Sequence, residues 1–193
     1  MRRLLDILIS ATALLLTSPI LALASVAIVV ESPGSPIYRQ RRVGKDGEQF
    51  MLVKLRTMVK NAESIGAGLA VDEDDPRILR SGNFLRRFSI DELPNLINVL
   101  RGDMAIIGPR PTVMAQVEKY DDRQRGRLTV KPGITGWAQV NGRASLPWSE
   151  RIDLDLWYVD NRSALIDLKI ILRTIKLLVS GDNLYRGDTG GWR

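Results

Sequence analysis

The sequence predicts an α/β fold, mostly α-helical with one short β-hairpin. The compact domain stands on a membrane surface through an N-terminal re-entrant helical hairpin and interfacial amphipathic helices. Three observations carry this expectation: a long uncharged apolar run near the N-terminus, an Asp-Gly pair between two strand-like runs, and a leucine-rich, basic helical pattern late in the chain. At 193 residues the chain has room for one compact domain beside a membrane element, because typical domains span roughly 100–200 residues. The expected division is a membrane helix over 1–34 and one further domain over 35–193, with no internal repeat, low-complexity tract or linker dividing the latter.

The membrane element comes first. Ile7 to Val30 contains no charged residue, and as a straight helix it measures roughly 36 Å against a bilayer core of roughly 30 Å. A simple span, a cleaved signal peptide and a hairpin that enters and leaves on one face all compete for it. Arg2, Arg3 and the small residues around Ala22-Leu23-Ala24 resemble a signal peptide, but the apolar run continues past that point to Val30. Pro19 removes a helical hydrogen bond at mid-segment and crowds the preceding turn, so a kink is expected there, with the Ser18 hydroxyl repairing part of the loss. Arg2 and Arg3 precede the segment and Arg39, Arg41, Arg42 and Lys45 follow it. Basic flanks favour the cytoplasm, so re-entry broken at Ser18-Pro19 is the expected arrangement.

After the turn-rich "ESPGSP", the runs "IYRQRRVG" and "EQFMLVKLRTM" flank Lys45-Asp46-Gly47, a strong hairpin signal. The polar stretch from Asn61 to Gly82 reads as a surface loop. Helices are expected near Asp91–Leu100, Pro111–Gly126, Pro147–Asn161 and Ala164–Val179. The last of these sets Lys169, Arg173 and Lys176 in one basic row among leucines and isoleucines. Such a helix suits either a membrane interface with snorkelling lysines or a cover over the core.

Composition narrows the chemistry. With 28 Lys+Arg against 22 Asp+Glu, the chain suits anionic partners such as nucleotides, phospholipid head groups or nucleic acid. The absence of cysteine and histidine excludes disulfides, thiolate zinc sites, cysteine nucleophiles and imidazole catalysis. Chemistry must rest on carboxylates, amines, guanidinium groups or a metal held by oxygen. Ser89-Ile90-Asp91-Glu92 fits a capping box, in which Glu92 bonds the Ser89 amide. Pro94 conflicts with that reading and fits better as the first helical residue, which leaves Asp91 and Glu92 just ahead of a helix start. Around them stand Arg86, Arg87, Arg101 and the turn Gly108-Pro109-Arg110-Pro111. Further on, "KPGITGWAQVNGR" combines three glycines with Trp137, Gln139, Asn141, Lys131 and Arg143. That combination suits a phosphate-bearing ligand better than a bare turn.

The runs "YRQRRVGKDGEQFMLVKLRTM", "SIDELPNLINVLRGDMAIIGPRP", "VKPGITGWAQVNGR" and "LDLWYVDNRSALIDLKIIL" resemble, in order and spacing, the bacterial sugar transferases called monotopic phosphoglycosyl transferases. The resemblance covers nearly the whole chain, and the length resembles the minimal form of that family. It implies an enzyme on the cytoplasmic face of the bacterial inner membrane that moves a sugar 1-phosphate from a UDP-sugar to polyprenyl phosphate, usually undecaprenyl phosphate, and releases UMP. It also implies Mg²⁺, an early place in surface glycan synthesis, contact with phospholipids, and no nucleic acid partner; a homo-oligomer is left open. The family's acidic pair falls on Asp91, the nucleophile, and Glu92, which helps place metal and substrate; both are the metal candidates. Its Ser-Pro break falls on Ser18-Pro19, its Lys-x-Arg-x-Met strand on Lys54, Arg56 and Met58, its Pro-Arg-Pro turn on Arg110, and a further polar candidate on Asp155. Together with the residues read above, the substrate-binding candidates are Lys54, Arg56, Arg86, Arg87, Arg110, Gln139, Asn141, Arg143 and Asp155. The C-terminal "GDNLYRGDTGGWR" matches no family motif. A membrane-anchored UDP-sugar pyrophosphatase and a non-catalytic adaptor for anionic lipid stand as alternatives, and the identity of the sugar is open.

Overall fold

The computed structural model describes residues 2–64, 75–142 and 146–180. One long apolar helix, α1 (Arg2–Glu31), leads into an antiparallel hairpin of β1 (Ile37–Val43) and β2 (Gln49–Leu55). Then follow α2 (Arg80–Arg87), α3 (Asn95–Arg101), β3 (Ala105–Ile107), α4 (Met114–Val117), α5 (Asp122–Arg125), β4 (Gly133–Thr135), α6 (Trp137–Val140), α7 (Trp148–Asp160) and α8 (Ala164–Ser180). The fold is mostly helical with small sheets, as expected of its α/β class.

The expected hairpin forms, with Ile37 opposite Leu55 and Val43 opposite Gln49. Asp46 and Gly47 both take positive φ, 57° and 84°, the backbone state that makes Asp-Gly a reversing pair. The helices expected from Pro147 and from Ala164 are α7 and α8. Three expectations need correction. The helix expected from Asp91 is broken: Ile90–Glu92 is a separate 3₁₀ turn and α3 begins at Asn95. The helix expected over Pro111–Gly126 is instead two short helices, α4 and α5, divided where Asp121 builds a capping box with Gln124. The surface loop ends early, because Arg80 and Ser81 already belong to α2; its central part lies outside the described residues.

A second sheet was not legible in the sequence. Strands β3 and β4 pair in parallel, Ala105 with Gly133 and Ile107 with Thr135. A Cβ on Gly133 would lie 2.0 Å from the Gly108 nitrogen, and one on Gly136 would lie 2.1 Å from the Gly108 carbonyl oxygen. Those glycines are therefore required by the backbone crossing itself, and a ligand is not needed to explain them.

Helix α1 runs through Pro19 as a single element. The proline cannot donate to the carbonyl of Leu15, and the Ser18 hydroxyl donates to that carbonyl instead, at 2.9 Å. Most of the helix surface is bare: Leu15, Leu16, Leu23 and Val30 are each more than seven-tenths exposed. Its ends are tied down. Arg3 donates to the carbonyls of Val99 and Leu100 at the end of α3, and Asp6 accepts the Ile106 amide of β3. At the other end Glu31 accepts the amides of Arg80 and Ser81, closing the start of α2 where two orphan donors would otherwise remain. Between them Ala24 and Ile28 pack with Leu55, Leu79 and Leu85. Two further small clusters lie beyond, one of Leu52, Val99 and Met104, the other of Val43, Val117, Tyr120, Ile152 and Leu156.

Candidate active site

The placement of the acidic pair begins with one buried side chain, Asn98 of α3. Its amide oxygen accepts the Val53 amide at 3.1 Å and its amide nitrogen donates to the Met51 carbonyl at 2.8 Å. This clamp fixes β2 against α3, and the next residue along β2, Lys54, consequently faces the N-terminal side of α3. Lys54 donates to Glu92 at 2.6 Å. From the opposite side Arg110, in the turn after β3, reaches the same oxygen at 2.7 Å.

The capping box does not form. Ser89 sits in the left-handed region at φ 54° and its side chain caps nothing, while the Glu92 carboxylate belongs to Lys54 and Arg110. The two acids therefore differ sharply. Burial opposes the ionisation of Glu92, but Arg110 and Lys54 overcome it and hold its pKa well below the usual carboxylate range. Asp91 has no hydrogen bond or ion pair among the described residues. Burial pushes its pKa up to about 6, against the pull of Lys54 and with the help of its neighbour Glu92. Burial also lowers the pKa of Lys54, against the pull of Glu92. The result is one carboxylate permanently charged and held in place, beside one that is open and costly to ionise.

A cleft adjoins Glu92, lined also by Arg42, Lys54, Asn95 and Arg110 with Leu52, Met104 and Ile134. It encloses about 10 Å³, the room of a single water, so a larger ligand would lie across its mouth. Asn95 is 2% exposed, and its amide oxygen has no partner among the described residues. A buried acceptor of that kind is expensive unless a ligand or water satisfies it. Sequence reasoning missed Asn95 as a site residue. The available signal was a polar side chain directly after the helix-starting Pro94.

The other predicted residues divide. Arg86 lies close enough for its charge to favour the ionised form of Asp91. Arg87 instead lies exposed, 5.8 Å from the Phe88 ring. Arg56, 9% exposed, donates to the Ser32 carbonyl and ties β2 to the end of α1. Asn141 accepts from Arg173 of α8 and donates to the Trp137 carbonyl. Gln139 is buried with both amide atoms unpartnered among the described residues, its oxygen 2.6 Å from where a Cβ on Gly136 would be. Asp155, 2% exposed, pairs with Arg127 at 2.5 Å, behind the turn that carries Arg110. Arg143 lies outside the described residues.

The family model described as bacterial sugar transferase matches residues 1–181. The chain belongs to the bacterial sugar transferase family. The transferase is 44% identical over 182 residues to an uncharacterized sugar transferase, EpsL, of Bacillus subtilis (strain 168), covering 93% of this chain and 88% of that one. It is 43% identical over 192 residues to a UDP-glucose:undecaprenyl-phosphate glucose-1-phosphate transferase of Caulobacter vibrioides, covering 95% of this chain and 72% of that one. With the enzyme of the same name from Escherichia coli (strain K12) it shares 43% identity over 178 residues, which is 88% of the transferase and 38% of the longer relative.

The oxygen donors near the dyad suit a magnesium ion of a particular kind. Among the described residues no cluster of three or more acidic side chains exists, so a cage made by the protein alone is absent there. Mg²⁺ commonly takes one or two carboxylates, substrate phosphates and water. Asp91, which has no ion pair of its own among the described residues, fits such a set as a carboxylate, whereas Glu92 already carries two cations.

Proposed function

We propose that the transferase moves a sugar 1-phosphate from a UDP-sugar to undecaprenyl phosphate, with Asp91 as the nucleophile. The observation that carries this reading is the contrast within the dyad: Glu92 is held by Lys54 and Arg110, while Asp91 is open and its ionised form is destabilised by burial. A carboxylate of that kind is more nucleophilic than one already paired. Relatives named as undecaprenyl-phosphate sugar-1-phosphate transferases support the substrate classes.

In the first step an Asp91 oxygen bonds to the β-phosphorus of the UDP-sugar. The bond from that phosphorus to the bridging oxygen breaks, its electron pair leaving on UMP. In the second step a phosphate oxygen of the lipid carrier bonds to the same phosphorus and the aspartyl–phosphorus bond breaks, restoring the carboxylate. Both nucleophiles are anions, so no strong base is needed. Arg110, Lys54 and Arg86 offset the repulsion between them and the phosphates. Glu92 orients the first two of these cations and keeps them from pairing with Asp91. A bound magnesium ion, which Asp91 would hold together with the substrate phosphates, would neutralise phosphate charge.

The reading includes a membrane-embedded α1 that enters and leaves on the cytoplasmic face of the inner membrane. Both ends of α1 bond to one folded body, which supports re-entry over a span that separates them. The bare apolar side chains Leu165, Leu168, Leu172, Ile175 and Val179 of α8 fit an interfacial position, while Ile170 of the same helix is fully buried.

Intact-protein mass spectrometry after mixing with a panel of UDP-sugars tests the chemistry. One UDP-sugar should add its sugar phosphate to the unmodified enzyme and release UMP, and Asp91→Asn should show neither. Undecaprenyl phosphate should then remove the adduct as lipid-linked sugar. Loss of the adduct to water alone, with no lipid product, would indicate a pyrophosphatase. An active Asp91→Asn enzyme ends the nucleophile assignment, and undiminished turnover in excess chelator ends the magnesium one.

A further inference from the structure

Four successive carbonyls in the turn after β3 are each held by a different partner. The Pro109 carbonyl accepts the Gly133 amide at 2.8 Å, that of Pro111 accepts the Arg42 side chain at 3.4 Å, and that of Thr112 accepts the Val43 amide at 2.8 Å. The carbonyl of Arg110 itself accepts from the Arg127 guanidinium at 3.0 Å. Arg127 is 3% exposed. The same nitrogen donates to Asp155 of α7 at 2.5 Å, the other terminal nitrogen donates to the Tyr120 hydroxyl, and the guanidinium lies 5.4 Å from the Trp148 ring.

This pair is poorly built for stability alone. The Arg127 Nε and one Asp155 oxygen are buried without partners among the described residues. A buried ion pair with unsatisfied atoms is commonly matched or surpassed in stability by apolar side chains of similar volume. Its placement offers another reason for it: the chain of bonds runs from Asp155 through Arg127 to the backbone of the one residue in this turn whose side chain grips Glu92.

We infer that Arg127 and Asp155 are positioning residues, which set where the Arg110 guanidinium meets Glu92 and the phosphates of the nucleotide. This rests on the reading of Arg110 as a phosphate-facing residue of the transferase. It also gives Asp155 a role through Arg127 in place of the direct substrate contact expected from sequence.

The test exchanges the ion pair for apolar side chains, Arg127→Met with Asp155→Leu, in the full-length protein in detergent or nanodiscs, alone and combined with Arg110→Ala. Thermal unfolding reports folding, and calorimetric titration with UDP reports the site without requiring turnover. The apolar pair should unfold at or above the temperature of the parent yet bind UDP weaker by about 10- to 100-fold, the scale of one charge-assisted hydrogen bond lost to a phosphate. In the Arg110→Ala background the same exchange should cost nothing further, because there is no guanidinium left to place. Arg127→Lys should give the same loss of UDP affinity, again only where Arg110 is kept, since an ammonium lacks the fork that spans two acceptors. UDP affinity at the parent level in a folded apolar-pair variant overturns the inference, as does an equal loss with and without Arg110. If Arg110→Ala alone leaves UDP binding intact, the reading of Arg110 falls, and the positioning role falls with it. If both apolar-pair and Arg127→Lys proteins fail to fold, the pair is structural and the inference is overturned.

Discussion

Replacing Asp91 with asparagine should destroy activity and raise stability at once. Burial moves the Asp91 pKa from its ordinary 3.8 to about 6, so between those values the folded protein holds a proton on this group that the unfolded chain has lost. Stability therefore falls as pH rises through that window, and above about pH 6 the full cost of a charged Asp91 is present. At 1.36 kcal/mol per pH unit, the ceiling is about 3 kcal/mol. Asparagine keeps the shape without the charge and also relieves Glu92 of a like-charged neighbour. For a protein of this size about 1 kcal/mol corresponds to roughly 2–4 °C, so Asp91→Asn should melt about 5–10 °C above the parent at pH 7.5. Near pH 4, where the parent's Asp91 is protonated, the two should coincide. Unfolding followed by tryptophan fluorescence in one detergent, at one scan rate and at both pH values, measures this. An Asp91→Asn protein that melts at or below the parent at pH 7.5 would refute the assignment of Asp91 as a strained, unpaired carboxylate.

Three further outcomes follow from the same structure. In metal-free protein the gap in melting temperature between the parent and Asp91→Asn should open along a limb that ends at about pH 6, where Asp91 has lost its proton. Lys54→Met should push that limb to higher pH, because Lys54 is the strongest charge pulling the Asp91 pKa down; an unmoved limb would show that another group titrates. Asn98→Ala should cost about 2–3 kcal/mol in denaturant unfolding, since the Val53 amide and Met51 carbonyl lose a buried partner, and it should lower UDP affinity as Lys54 loses its seat. Leucines at Ser18 and Pro19 should favour one straight spanning helix. Single cysteines at Arg2 and Ser35, treated with an impermeant reagent, should both stay protected in intact parent cells, and external labelling of position 2 in the parent would establish a span.

The sequence carried the local signals faithfully and the crossing ones poorly. Asp-Gly between strand runs, the apolar segment and the two C-terminal helices were all readable, because each depends on neighbours in the chain. Asp91, Glu92, Lys54 and Arg110 were nominated through motif order, and the structure brings those four together. The β3–β4 pair was invisible because three-residue strands leave no periodicity, and their glycines looked like ligand-binding glycines when the backbone crossing already demands them. S-x-x-E at Ser89 suggested a capping box and Pro94 argued against it; the box is absent, with Ser89 in a left-handed backbone and Glu92 turned to Lys54 and Arg110. Arg127 gave no signal, since a guanidinium with a buried role and one in solvent are written with the same letter.

The ties at the two ends of α1 have a practical consequence. Deleting that helix would leave the last carbonyls of α3, the first amides of α2 and the Ile106 amide of β3 without the partners they now have. It would also uncover the apolar cluster around Leu55, Leu79 and Leu85. Helix α1 thus serves as a tie-beam across the elements that hold the acidic pair and the arginine facing it. Trimming the chain to obtain a freely soluble enzyme would take a structural member out of the catalytic frame, and a preparation that keeps the helix solvated is the one that keeps the frame square.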